Sequence, residues 1–293
     1  MKKNDPCLLC KSSRFRLIHQ RDKWMYVMCR DCGLVSLDPH PSEAELINSY
    51  DSYLPEDPVE IRKWACMMRP IVVKSAGLIE SESSEGPGRL LDIGSGYGFF
   101  LEEMKSRGWE VEGVELSDAG RKYTQGRINV PVHLQPLESL SLPQGRFDVV
   151  TLFYVIEHLP DPLSTIREVY RILRPGGIVL VRWPHSTPIV RLLGPLSKKL
   201  DLYHTPYHLY DFSPRTIRTL LTSAFFGQIR TAVGGHTLPD AGLNRWTSII
   251  TGVIGEIFFR VSGGRILIPG VSKTTTARKP ARNTKRLGKR ERF

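Results

Sequence analysis

Long uninterrupted apolar runs are missing from this 293-residue chain, and so is the apolar stretch of a secretory signal, since MKKNDPC opens on charge and proline. The expectation is a protein made and kept in the cytoplasm. The most apolar stretch, residues 246 to 268, is broken by Glu256, Arg260, Arg265 and four glycines, which excludes a transmembrane span. A helix from Trp246 to about 262 can instead pack on the core or substrate side, or lie on a membrane surface. Cysteine is scarce: of five, four crowd the N-terminus, a pattern that favours metal ligands or free thiols over disulfides. Acidic charge is in deficit, with 41 Lys and Arg against 30 Asp and Glu and a net charge of +11. Residues 273 to 293 hold nine of those cations (Lys273, Arg278, Lys279, Arg282, Lys285, Arg286, Lys289, Arg290 and Arg292) against Glu291 alone, a local +8 that leaves the rest of the chain at only +3. Such a tail can bind RNA or anionic lipid by simple electrostatics, or be a solvated, disordered end. The weak charge of the remainder argues against nucleic acid as the main partner.

The four clustered cysteines fall in two pairs, Cys7-Leu-Leu-Cys10 and Cys29-Arg-Asp-Cys32, with eighteen residues between the pairs. Two such turns close a tetrahedral zinc site, Gly33 relieves the backbone after the second, and Lys23 to Cys29 between them reads as a ribbon strand. Four thiolates leave no open coordination position, so the expected zinc is structural. Cys66, among Trp64, Met67 and Met68 in a helical pattern, reads as a buried apolar residue.

From Arg89 an apolar strand carries Asp92 into Gly94, Gly96 and Gly98 and then into a helix. Glycines on alternate positions leave a bare turn that a ligand can approach, as in nucleotide-type cofactor loops. Glu115 ends the next apolar run about 20 residues later, where a carboxylate can accept from ribose hydroxyls. A dinucleotide fingerprint needs glycine at position 99, which is Phe99. Asp92 would also oppose a pyrophosphate, so a cationic ligand suits the loop better.

The chain divides into a zinc ribbon over 1–40, a helical lid and linker over 41–88, an α/β domain over 89–272, and a last strand with the basic tail over 273–293. Ser42 and Glu45 form a capping box for a helix to about Tyr50, of the kind that roofs a cofactor cleft. A second helix runs from Pro58 to Ile79, with Pro70 able to bend it. Past residue 88, strands at 89–93, 110–115, 131–134, 147–153 and 177–183 alternate with helices at 98–107, 118–126 and 163–173, the pattern of a doubly wound α/β sheet. Ser213 caps a further helix, and a strand follows near 228–233.

The Asp92-to-Gly98 pattern, with Glu115, Phe147-Asp-Val-Val, Glu157-His158-Leu159, Leu173-Arg-Pro-Gly-Gly and Pro206-Tyr-His-Leu-Tyr-Asp-Phe, resembles class I S-adenosylmethionine-dependent methyltransferases. The likeness is to the branch that acts on small molecules, including ubiquinone-biosynthesis O-methyltransferases and sugar methyltransferases; the cysteine pairs resemble its zinc-bearing subset. The resemblance implies a Rossmann-like sheet and methylation of a small hydroxylated or sugar-like acceptor, with O-methylation favoured. It implies that Gly94, Gly96 and Gly98 cradle the amino-acid part of the cofactor beside Asp92, and that Glu115 holds the ribose. The family's acid for the adenine amine has no counterpart in Gln135-Pro-Leu-Glu138, so Leu137 or Glu138 takes that place. Phe153 and Tyr154 would line the cleft near the methyl group. His158, His185 and His208 are the candidate general bases, with His204 able to join His208, because neutral imidazole titrates in the useful range. Two other readings stay open: an RNA base methyltransferase gripping its substrate through ribbon and tail, and an inactive zinc-ribbon scaffold.

Overall fold

Alternation of strand and helix from Arg89 onward builds the larger of two sheets in the computed structural model. The structure describes residues 5–42, 45–46, 54–199, 201–233, 235, 237–238, 243–262 and 272–281. Strands β1 (Phe15–Arg21), β2 (Trp24–Cys29) and β3 (Val35–Asp38) precede the helix Pro58–Glu82. The larger sheet then uses β4 (Arg89–Ile93), β5 (Glu110–Val114), β6 (Val132–His133), β7 (Phe147–Phe153), β8 (Leu173–Trp183), β10 (Gly227–Val233) and β11 (Lys273–Arg278) in the order β10-β11-β8-β7-β4-β5-β6. Neighbours from β6 to β8 are parallel, and β11 is antiparallel to both β8 and β10. The chain winds outward from β4 to β6 and then returns to the other side at β7. That reversal opens a crevice at the carboxyl ends of β4 and β7, where open α/β sheets bind ligands.

The expected doubly wound sheet is present, and its central strands are continuous apolar runs because helices cover both faces. Leu90, Leu91, Val150, Val179 and Val181 are fully buried. The strand expected at 177–183 is longer, beginning at Leu173 and including the Arg-Pro-Gly-Gly segment. The helix expected to end at Ile79 continues to Glu82 and keeps Pro70 inside it; Asp57 caps its start by accepting from Val59 N–H at 3.0 Å. Cys66 corrects the reading of a buried thiol: it lies on the exposed side of this helix, whose core stripe runs through Ile61, Ile71, Val72, Ala76 and Ile79. The Ser42–Glu45 capping box forms, with Ser42 N–H donating to Glu45 Oε2 at 2.8 Å, while the expected continuation over 47–50 lies outside the described residues.

The smaller sheet has the order β1-β2-β3-β9, and β9 (Tyr210–Asp211) comes from late in the chain. Val35 pairs with Asp211 and Ser36 with Tyr210. Tyr26 stacks on Tyr203 at 4.0 Å between ring centroids and donates through its hydroxyl to the His208 carbonyl at 2.9 Å. The ribbon and the α/β layer therefore share one apolar core.

The basic C-terminal segment is partly built into the sheet. Lys273 is fully buried at the start of β11, and Lys279 Nζ donates to the carbonyls of Tyr170 at 2.8 Å and Leu173 at 2.6 Å. Residues 282–293 lie outside the described residues. Among the described residues, no helix is long and apolar enough to cross a membrane.

Candidate active site

Asp92 sits one residue before the end of β4, buried, with Thr151 Oγ1 of the adjacent β7 donating to its Oδ1 at 2.6 Å. Burial pushes its pKa up to about 7, Thr151 opposes the rise, and the nearby negative charge of Glu115 adds to it. The turn that follows is held to the next strand, since Gly94 and Ser95 N–H both donate to the Val114 carbonyl, at 2.8 and 3.0 Å. Gly94 has φ +71°, and a Cβ there would stand 2.3 Å from Val155 Cγ2. Gly98, at φ +70°, opens the helix Phe99–Ser106, and a Cβ there would strike Thr124 at 2.4 Å. Its glycine is required by helix packing.

Glu115 closes the turn from the other side. One carboxylate oxygen accepts from Gly96 N–H at 2.6 Å, the other from Ser117 N–H at 2.8 Å. Burial raises its pKa in spite of those donors. A carboxylate has about four acceptor positions, so two bonds leave capacity for ribose hydroxyls.

These groups form one wall of a cavity of about 520 Å³. Of the predicted cofactor residues, Asp92, Gly94, Gly96, Glu115, Leu137, Phe153 and Tyr154 line it, and Gly98 lies outside the wall. Leu137 comes from the short 3-10 turn Leu137–Ser139, beside Pro136 and Glu138. The helix Pro58–Glu82 supplies the opposite wall through Trp64, Met68 and Val72. Tyr154 holds φ +56°, unfavourable for a side-chain-bearing residue, and its hydroxyl accepts from Arg182 Nε at 2.8 Å. Arg182 is buried on β8, and its distance in sequence hid this support.

Two of the three candidate bases come together. His158 lines the cavity, its Nδ1 2.9 Å from the Tyr207 carbonyl, which places the proton on Nδ1 and leaves Nε2 as an acceptor. His208 stands behind it, with ring centroids 4.7 Å apart, and His204 lies 4.9 Å further on. Burial lowers the pKa of His158 to about 4 and that of His208 well below its ordinary value, so both are neutral. His185 is placed elsewhere, against Trp183 at 5.9 Å and outside the cavity wall, with its pKa lowered to about 3 by burial and by Lys273.

Glu157 is the residue to which the sequence assigned no role. It is buried, neither carboxylate oxygen has a hydrogen-bond partner among the described residues, and burial pushes its pKa up to about 8. One ligating atom each from Glu157, His158 and His208 lies within 4.8 Å of the others, a donor set that could hold a divalent cation. The Glu-His dipeptide was visible, but only β9 folding back brings His208 to it.

At the N-terminus, Cys7, Cys10, Cys29 and Cys32 gather their sulfurs within 4.8 Å of one another, as free thiols. Cys7 and Cys32 Sγ are 3.4 Å apart, Cys10 and Cys29 Sγ 3.5 Å. Sulfurs about 2.3 Å from a tetrahedral zinc would stand about 3.8 Å apart, so the cluster fits that ion.

Sheet order, glycine turn and paired acids define a methyltransferase-type α/β site. Residues 73–226, more than half the chain, match the family model described as a methyltransferase domain, and the chain belongs to that family. Ubiquinone biosynthesis O-methyltransferase of Pseudomonas aeruginosa (strain LESB58) is 32% identical over 130 residues, covering 42% of this chain and 56% of that protein. The Pseudomonas putida (strain GB-1) enzyme of the same name is 32% identical over 141 residues, covering 46% and 60%. The matches thus span little more than half the length of these curated relatives. Phosphoethanolamine N-methyltransferase 2 of Haemonchus contortus, solved with S-adenosyl-L-methionine, aligns with TM-score 0.50 and 19% identity over 70% of this chain and 52% of that one. A chain from the complex of the Haloferax volcanii Trm112 methyltransferase activator with a methyltransferase aligns with TM-score 0.55 and 16% identity, over 80% and 98%. At these identities the structural likeness is one of fold.

Proposed function

We propose that the protein is an S-adenosylmethionine-dependent methyltransferase that methylates an oxygen of a small hydroxylated or sugar-like acceptor, with a structural zinc in its ribbon. The observation that carries this reading is the cavity itself: two buried acids flank a bare glycine turn, and the neutral imidazole of His158 lines the same cavity. S-adenosylmethionine, when bound, supplies a sulfonium-borne methyl group open to in-line attack. Asp92, costly to ionise alone, suits the cationic amino-acid end, and Glu115 suits the ribose hydroxyls. The Gly94–Gly96 turn admits the ligand's backbone-close approach, while Phe153 and Tyr154 wall the reacting region.

His158 is the proposed base. Its Nε2 takes the acceptor hydroxyl's proton as the new oxygen–carbon bond forms; the proton becomes strongly acidic at that point, so an imidazole of low pKa suffices. Tyr207 holds the tautomer, and the carboxyl of Glu157, whose pKa burial raises to about 8, lies within 4.8 Å of the ring. Proximity and exclusion of water supply much of the remaining rate. Four reduced thiols and a structural zinc suit the cytoplasm.

Isothermal titration with S-adenosylhomocysteine tests the cofactor site. Glu115→Ala should weaken binding about 100-fold or more, because it removes both the ribose acceptor and the brace on Gly96 and Ser117. An affinity unchanged by the substitution rejects the assignment, and zinc-loaded wild-type protein that binds no cofactor supports a scaffold instead.

A further inference from the structure

The helix Leu243–Val261 turns a row of large apolar side chains outward from the folded body. Its inward face mixes small and polar residues with half-buried Ile249 and Phe259: Gly252 and Gly255 are buried, Ser248 donates to the Thr237 carbonyl at 2.7 Å, and Glu256 pairs with Lys74 at 2.9 Å. Its outward face is apolar: Ile250, Val253, Ile254, Ile257, Phe258 and Val261 are between 42% and 84% exposed. They recur at helical spacing, so they make one stripe. Its one acid, Glu256, is held by Lys74 and Arg260 away from that stripe.

Size and charge select what covers this face. At 1.5 Å per residue the stripe is about 17 Å long, a footprint that a helix lying in the plane of a bilayer surface can bury at the headgroup boundary. Residues 282–293 carry six Lys or Arg and one Glu. The strand that precedes them, β11, ends beside the Pro58–Glu82 helix, where Arg278 Nη2 donates to the Glu82 carbonyl at 2.5 Å. Lys74, which pairs with Glu256 of the Leu243–Val261 helix, lies eight residues back from Glu82, about 12 Å away. Twelve residues can span about 40 Å, enough to lay these cations beside the stripe.

We infer that the Leu243–Val261 stripe seats on the surface of an anionic lipid bilayer, with the cations of 282–293 on the headgroups around it. Apolar contact gives the insertion, and the cations give preference for anionic lipid. The Pro58–Glu82 helix lines the cavity through Trp64, Met68 and Val72 and meets the docking helix through Lys74, so the bilayer lies behind that wall of the cavity.

Co-sedimentation of the full chain with equimolar phosphatidylcholine–phosphatidylglycerol vesicles, and with pure phosphatidylcholine, at about 0.1 M salt tests this. The wild type should pellet with anionic vesicles, and Ile254→Asn combined with Ile257→Asn should cut the bound fraction about tenfold at an unchanged melting temperature. Phe258→Trp should shift its emission to the blue on binding and be quenched by brominated lipid. Three outcomes overturn the inference: no binding by the wild type, equal binding by the double variant, or a lipid-free dimer in velocity sedimentation that the double variant dissolves. The last would assign the stripe to a second copy of the chain.

Discussion

Gly98 shows how one residue serves the site from outside it. A Cβ at this position meets Thr124 at 2.4 Å in a backbone already at φ +70°, so Gly98→Ala should cost about 1–3 kcal/mol in urea unfolding, through strain and overpacking. Because Gly98 is not in the cavity wall, cofactor affinity of the folded variant should change far less than it does for Glu115→Ala. Asp92, Gly94 and Glu115 were legible because loop chemistry is local: an acid at a strand end, a turn needing positive φ, and a second acid one strand on. Arg182 and Glu157 were not legible, since a buried charged side chain takes its meaning from neighbours that are far away in sequence. Cys66 was misjudged for a related reason: a helical pattern of Trp and Met does not say which side of the helix is covered.

Among the elements, the ribbon has the widest reach. Its β3 edge pairs with β9, and Tyr26 binds the carbonyl of His208, so the cysteine cluster supports the loop that carries two of the histidines. Cys29→Ser should therefore release one equivalent of zinc, measured by mass spectrometry, and lower the melting temperature. Hydrogen exchange should quicken at residues 203–211, and the 94–98 turn should stay protected, because its amides are held by Val114 and Glu115. Wild-type protein that carries no zinc as purified, or that melts and exchanges unchanged once stripped of it, would reject a structural zinc. The ribbon strand between the cysteine pairs was readable from its alternation, whereas β9, two residues long, was not, because its partner stands more than 170 residues earlier. The helical wall of the cavity, Pro58–Glu82, was likewise readable as a helix but not as a wall.

In the molecule as a whole, buried titratable groups set opposing limits on stability. His158 and His185, with pKa values lowered to about 4 and about 3 from an ordinary 6.5, contribute stability that is present above pH 6.5 and lost as pH falls through the lower values. Asp211, Asp92 and Glu157, raised to about 6, 7 and 8, contribute stability that is present in acid and lost as pH rises through those values. Below about pH 6.5 the two sets oppose each other, and from pH 6.5 to 8 only the loss from Asp92 and Glu157 remains, so these groups make the cofactor-free protein less stable at pH 8 than at pH 6.5. Glu157→Gln should flatten this decline, with a gain over the wild type about 2–3 kcal/mol larger at pH 9 than at pH 6, read from urea unfolding at the two pH values. Parallel losses in both proteins would show that Glu157 is not the buried acid responsible. By itself the sequence determined the doubly wound sheet, the glycine turn with its acids, and the cysteine pairing, because each depends on periodicity or spacing within about 30 residues. Only the tertiary structure decided that His158 and His208 meet beside the buried Glu157 while His185 stands apart. It alone placed the Pro58–Glu82 helix as a cavity wall and turned the apolar side of Leu243–Val261 outward, since burial and encounter between distant segments are properties of packing.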